Sequence, residues 1–277
     1  FIGGIKGMWK RGRVRGVALD GGGLDNLSMK MMTYNIMEGG TGRVDPLAEV
    51  IRLAGAEVVI LQETWDMELF HKLADRLGMD RFLAENPRNV EGAVGVLSRR
   101  AITQAVNHAA LDERLTRGAL TLFIEGLPPL LGVHLHAKET LADEAVRLKE
   151  LDALLEITAS LGPSHILGGD FNTSHPLQEI DIEKLRPKAR ERIRDQEDRL
   201  PREVVSRLLA AGYLDAHGLH HAPANFDVSL TTSRPAMRVD YFFITADLGA
   251  RVKSCEVFKP EIGRFASDHY PVVMELG

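Results

Sequence analysis

The chain has 277 residues, 44% of them hydrophobic and 26% charged, a globular composition with enough apolar material for a large core. A net charge of −5 supplies no global basic field to draw it to nucleic acid; the lone Cys255 excludes an internal disulfide framework and suits a reducing compartment, so a cytoplasmic location is expected. The longest apolar stretches, such as ALTLFIEGLPPLLGV, are interrupted by Glu125, Gly126 and a proline pair, and fall short of the roughly 20 residues of a membrane span.

Residues 1–29 are Gly-rich, carry five basic residues before Asp20 and lack the apolar core and cleavage site of a secretory signal, so they are expected to be an N-terminal extension. Residues 30–277 are expected to form one domain. MMTYNI is a strand, and DPLAEVIRLAGA a helix opened by Asp45 as N-cap with Pro46 at the first helical position. EVVILQE is a strand, and MELFHKLADRLG a helix ended by Gly78. AVGVLS, AITQAVNHA, GALTLFIEG and PLLGVHLHA follow with short turns, an antiparallel rhythm. A long amphipathic helix, KETLADEAVRLKELDALLEITASLG, precedes the buried strand SHILGGD. A charged helical insertion around 177–203 leads to the helix REVVSRLLAAG, and the chain closes with the strands RVDYFFIT, ARVKSCEVF and HYPVVMEL. Strands outnumber helices, which fits an α+β fold with two sheets packed face to face and helices outside.

Polar residues recur at the strand ends: Asn35, Glu63, His134, Asp170 with Asn172, Asp240, and Asp268 with His269. Each alone reads as an ordinary turn residue. If the C-terminal ends of the strands converge, however, Glu63, Asp170, Asp240 and Asp268 form a cluster of like charges, costly unless a cation sits among them. Hard oxygen donors without cysteine favour Mg²⁺ or Mn²⁺ over Zn²⁺.

TYNI, LQET, GVHLHA, GGDFNTSHP, RVDYFFIT and SDHYPVV, in this order, resemble the endonuclease/exonuclease/phosphatase superfamily, over about residues 30–277. The resemblance implies a four-layer αββα sandwich with two mixed, mainly antiparallel sheets, and a metal-dependent phosphoesterase using one or two Mg²⁺ or Mn²⁺ ions. By resemblance Glu63 binds the cation, and Asn35 and Asp268 help to hold it or its waters. Asp170 orients and deprotonates the attacking water, Asn172 donates to the phosphate, Asp240 pairs with His269, and His134 faces the phosphate. Either Asp170 or His269 could take the proton. Gly168 and Gly169 are expected to let the backbone turn without a side chain in the pocket.

The reaction expected is hydrolysis of a phosphodiester, on a small molecule or nucleic acid, by in-line attack of water. The alternatives are a nuclease acting on DNA or RNA, of abasic-endonuclease or exonuclease type, and a non-catalytic phosphate-binding module. No obligate protein partner is expected. His134 and His136 form an HxH whose side chains would share one strand face; His217, His220 and His221 form a second histidine cluster, more often an exposed loop than a metal clip. Cys255 reads as a small buried apolar residue. The insertion reads as a solvated helix with i,i+4 ion pairs, or as a rim offering Arg186, Arg190 or Arg194 to a charged substrate.

Overall fold

The computed structural model describes residues 28–277; the expected N-terminal extension, apart from its last two residues, lies outside them. In chain order the elements begin β1 (Met29–Asn35), α1 (Val44–Ala54), β2 (Val58–Gln62), α2 (Met67–Leu77), β3 (Asp80–Ala84) and β4 (Val94–Ser98). There follow β5 (Ile102–Asn107), β6 (Gly118–Ile124), β7 (Leu130–His134), α3 (Leu141–Ala159) and β8 (Ile166–Asp170). The last are α4 (Pro187–Arg194), α5 (Glu203–Ala210), β9 (Leu214–Asp215), β10 (Asp240–Ile244), β11 (Val252–Val257), α6 (Gly263–Ala266) and β12 (Val272–Leu276).

The strands form two six-stranded sheets, ordered β11-β12-β1-β2-β4-β3 and β5-β6-β7-β8-β10-β9. Period-2 alternation decides which side chains go where. Met31, Val58 and Ile60 of the first sheet meet Leu120, Ile166 and Phe242 of the second in a shared core. Their sequence neighbours Met32, Val59 and Leu61 face outward against Leu47, Ile51, Phe70 and Leu73 of α1 and α2. On the far side Leu131, Val133, Leu167 and Phe243 pack against Leu151 and Leu154 of α3 and Val204 and Leu208 of α5. Helix, sheet, sheet, helix is therefore the order of layers, an α+β sandwich as expected.

Several local expectations are corrected. Helix α1 starts at Val44 with Arg43 as N-cap, so Asp45 and Pro46 lie inside the first turn rather than opening it. Strand β3 is absent from the sequence-based expectations; its half-exposed edge position blurs the alternation that reveals a strand. The β4-to-β5 connection is not a hairpin, because β4 and β5 belong to different sheets. Gly78 does end α2, at a φ of 62° that suits glycine.

Among the described residues two strand pairs are parallel: β1 with β2, joined through α1, and β7 with β8, joined through α3. Each crossover brings two strand ends to the same edge. The antiparallel neighbours β10 and β12 begin at that edge, so Asp240 and the Asp268–His269 pair reach it from strand starts, not from C-terminal ends. No helix of the described residues is long and apolar enough to cross a membrane.

Candidate active site

Sheet register sets the first row of the site. His134 of β7 pairs with Asp170 of β8, and Asp170 pairs with Asp240 of β10, so three polar side chains stand on adjacent strands at one level. All are buried. His269, on the loop into β12, completes the cluster, with its Nδ1 2.9 Å from Asp240 Oδ2. Among the described residues, Asp170, Asp240 and His269 form the one group of metal-capable side chains with ligand atoms within 4.8 Å of one another.

The second sheet edge is tied to the first by Asn35. Its Nδ2 donates to Asp170 Oδ2 at 3.0 Å and to Glu63 Oε1 at 3.2 Å, and its Oδ1 accepts from Met37 N at 2.9 Å. Glu63 Oε2 accepts from Glu38 N at 2.7 Å. Glu63 stands at φ 61°, a left-handed conformation that an L-residue keeps only when its surroundings fix it. Asp268 is engaged by Arg186, with Oδ2 2.8 Å from Arg186 Nη2.

The loop after β8 corrects the expectation for its glycines. Gly168 and Gly169 lie inside the strand, not at a turn. They are there for space: a Cβ on Gly168 would fall 2.5 Å from Phe242, and one on Gly169 2.0 Å from the Val133 carbonyl oxygen. The turn itself is made at Asn172, with φ 50°. Asn172 N donates to Asp170 Oδ1 at 2.9 Å, while its Nδ2 donates to Leu135 O at 3.0 Å. Asn172 therefore fixes Asp170 as well as lining the site.

Electrostatics follow from this packing. Burial, then the charge of Asp240, pushes the Asp170 carboxyl well above the usual carboxylate range. Burial opposes the charge on His269, but the charge and hydrogen bond of Asp240 outweigh it and raise its proton affinity. His134 goes the other way: burial, followed by the charges of Arg117 and His269, holds it neutral. Arg117 Nη1 lies 2.9 Å from His134 Nε2, so that nitrogen accepts, and the proton of the neutral ring belongs on Nδ1.

Sequence reasoning missed Arg117. It stands immediately before β6, whose first residue Gly118 pairs with His134, a register that no local pattern announces. It also missed the supports inside α3, where Glu144, Arg147 and Glu150 are buried on a helix face that should be apolar. Glu150 accepts from Thr116 N at 3.0 Å and from His136 N at 2.7 Å, which anchors the chain just before Arg117 and just after His134. Arg147 Nη1 donates to His136 O and Lys138 O, at 2.9 and 2.7 Å. Arg238, two residues before Asp240, is a third support, in a buried bidentate pair with Asp215 at 2.9 and 2.5 Å.

Other expected candidates fall outside the cluster. Strand β7 ends at His134, so His136 shares no strand face with it and instead sets Nε2 3.1 Å from Asp143 Oδ1. His217 and His221 stack with centroids 4.1 Å apart, an arrangement that does not converge on an ion, and they are not part of a metal-capable group among the described residues. Cys255 is a buried core residue in β11. In the charged segment, Arg190 and Arg194 pair with Glu183; Arg186 is the one of the three that reaches the site.

The donor set fits a hard divalent cation. Two buried carboxylates lie together, Asp240 Oδ1 has no hydrogen-bond partner, and Glu63 presents a further carboxylate at the rim. No thiolate is near, since Cys255 is in the core.

Many solved structures share this fold. An AP endonuclease from Archaeoglobus fulgidus superimposes with a TM-score of 0.70 at 16% identity, over 90% of this chain and 99% of that one. A 3′ phosphatase from Neisseria, NExo, bound to product DNA hairpin, superimposes with a TM-score of 0.68 at 17% identity and the same coverage. No curated protein matches in sequence. The sequence profile of the Endonuclease/Exonuclease/phosphatase family matches residues 32–269, and with the strand-end motifs gathered at one edge of the sandwich the chain belongs to that family.

Proposed function

We propose that the chain is a divalent-cation-dependent phosphoesterase that hydrolyses phosphodiesters by in-line attack of water. The observation that carries this reading is the buried convergence of Asp170, Asp240 and His269 with an unpartnered Asp240 oxygen, a costly arrangement with no structural use of its own. Family membership and the likeness to a phosphatase and an endonuclease fold support it.

Glu63 and Asn35, and Asp268 once released from Arg186, would hold Mg²⁺ or Mn²⁺ beside Asp170. When bound, the cation neutralises charge on the phosphate and at the leaving oxygen. Asp170 is clamped at both oxygens, by Asn172 N–H and Asn35 Nδ2, so it orients one water and accepts its proton. His269, tethered through Nδ1 to Asp240, presents a positive edge to the phosphate oxygens. Neutral His134 accepts from Arg117 and so fixes that guanidinium, a second positive charge, beside the cluster. Asn172 donates to the phosphate from the opposite wall. Together these groups supply part of the roughly 20 kcal/mol that such a hydrolysis requires.

Hydrolysis of bis-p-nitrophenyl phosphate with Mg²⁺ or Mn²⁺ tests the assignment. Turnover is expected, lost with EDTA and with His269→Ala. Activity that survives both places the chemistry elsewhere.

A further inference from the structure

Beside the catalytic cluster a cavity of about 300 Å³ opens between α4 and the segment 230–239. Its floor is apolar: Leu185, Ala236, Met237 and Val239 form a small buried cluster of their own. Its rim is cationic, with Lys138, Arg186, Lys188, Arg192 and Arg234 against a single carboxylate, Glu139. Two of these cations are engaged. Arg192 Nη2 lies 2.9 Å from Glu139 Oε1, and Arg186 Nη2 lies 2.8 Å from Asp268 Oδ2. Among the described residues, Lys138, Lys188 and Arg234 form no ion pair, so the cavity carries uncompensated positive charge in a chain whose net charge is −5.

The cavity adjoins the site. Asn172 lines it and bonds Asp170 Oδ1 through its backbone, Leu230 lines it and forms a β-bridge with His269, and Arg186 spans from its wall to Asp268. A ligand group seated there would hang from a phosphate held at Asp170. Its volume is at the lower limit of small-ligand sites, roughly 300–1,000 Å³, which suits one ring with a substituent rather than a run of nucleotides. An apolar floor excludes water from beneath that ring and strengthens the attraction of the rim for an anion.

We propose that this cavity is a substrate subsite for a compact organic group bearing a second phosphate, with Lys188 and Arg234 holding that phosphate while the ester phosphate lies at the Asp170 cluster. The inference rests on the phosphoesterase reading above and narrows its substrates to small phosphoesters that carry two separate anionic groups. Selectivity arises because a singly charged ester leaves Lys188 and Arg234 unused, whereas a doubly charged one neutralises them.

The test compares the p-nitrophenyl ester of thymidine 5′-phosphate with the same ester carrying a 3′-phosphate, and with a short thymidine oligonucleotide. The doubly charged small ester is expected to have a kcat/KM at least tenfold higher than the singly charged one, mainly through KM, and higher than the oligonucleotide. Lys188→Glu, at an exposed position on α4, and Arg234→Ala should each bring that ratio towards one. Calorimetry on the cation-free protein gives a readout independent of turnover: thymidine 3′,5′-bisphosphate should bind at least tenfold more tightly than thymidine 5′-monophosphate, and Lys188→Glu should remove the difference. If neither ester nor the oligonucleotide is hydrolysed, the phosphoesterase reading itself fails. Equal turnover of the two esters, a preference for the oligonucleotide, or a ratio unmoved by both substitutions overturns the subsite and leaves that reading standing.

Discussion

Asp170 and Asp240 stand directly opposite one another on the antiparallel strands β8 and β10, both buried, at the end of the sheet where the polar residues gather. Their juxtaposition is a consequence of backbone register, which sets both side chains at one level of the ladder that runs from this pair to Ile166 and Ile244. His269 relieves part of the repulsion from the Asp240 side, and Asn35 supports Asp170 from the other sheet.

A cation held at Glu63, which Asn35 bridges to Asp170, should relieve the rest. Adding Mg²⁺ or Mn²⁺ to protein stripped with EDTA is predicted to raise the melting temperature, by several degrees at concentrations about 100 times Kd, where the added stability is about 2.7 kcal/mol. Scanning calorimetry with and without each ion decides; an unchanged midpoint with both would count against a cation at this cluster.

The Asp240–His269 pair should act as one unit. His269→Ala and Asp240→Asn are each predicted to lower kcat on bis-p-nitrophenyl phosphate by about 10²–10⁴-fold. The double variant should be little worse than either alone, because both changes remove the same positive edge. Fully multiplicative losses in steady-state kinetics would show that the two residues work separately.

Arg117 is predicted to matter through His134. Replacing Arg117 with Gln removes a charged hydrogen bond and should lower kcat by about tenfold to a hundredfold. It should also raise the proton affinity of His134, since the charge of Arg117 is second only to burial in holding that ring neutral. NMR titration of His134 in both proteins measures the shift, and a downward or absent change would contradict the assignment.

Acid should destabilise the fold from the side of the buried histidines. Burial, followed by the charge of Arg238, lowers His217 to about 3, while in the unfolded chain the same ring takes its proton near 6.5. At this ring the unfolded state binds more protons between these values, so the stability that His217 contributes falls as pH drops from about 6.5 towards 3, against an opposite slope from Asp170, whose raised carboxyl takes its proton first in the folded state. Chemical denaturation across this range should show the slope, and His217→Phe should flatten it. The neutral His134 and His175 leave a residual slope of the same sign.

Gly169→Ala is predicted to destabilise by about 3 kcal/mol, because the new methyl would meet the Val133 carbonyl oxygen, which belongs to the β7–β8 ladder and cannot move aside. Denaturant unfolding measures it, and a loss below about 1 kcal/mol would mean that the strand pair yields more readily than its packing implies.

Much of this protein was legible in one dimension. The αββα layering follows from strands such as β1 and β2, where every second residue is apolar for the central core and the alternate ones are apolar for the helices; a strand buried on both faces needs a layer on each. Asn35, Glu63, His134, Asp170, Asp240 and His269 were visible because polar residues at the ends of apolar runs break a strong pattern. Arg117 was not, since an arginine before a strand breaks nothing. Nor were Glu144, Arg147 and Glu150, whose spacing on a long helix looks like an ordinary charged face.

The sequence by itself thus determined the layers, the strand-end polar set and the chemistry that set is suited to, because burial periodicity and residue type are local properties. Tertiary structure alone decided which carboxylates meet. Register placed Asp170 against Asp240, and Asp268 took Arg186 as its partner. It also decided that α4 and the segment 230–239 enclose a cationic cavity at the edge of the site. Those outcomes depend on contacts between residues tens to hundreds of positions apart, and no local pattern encodes a distance between them.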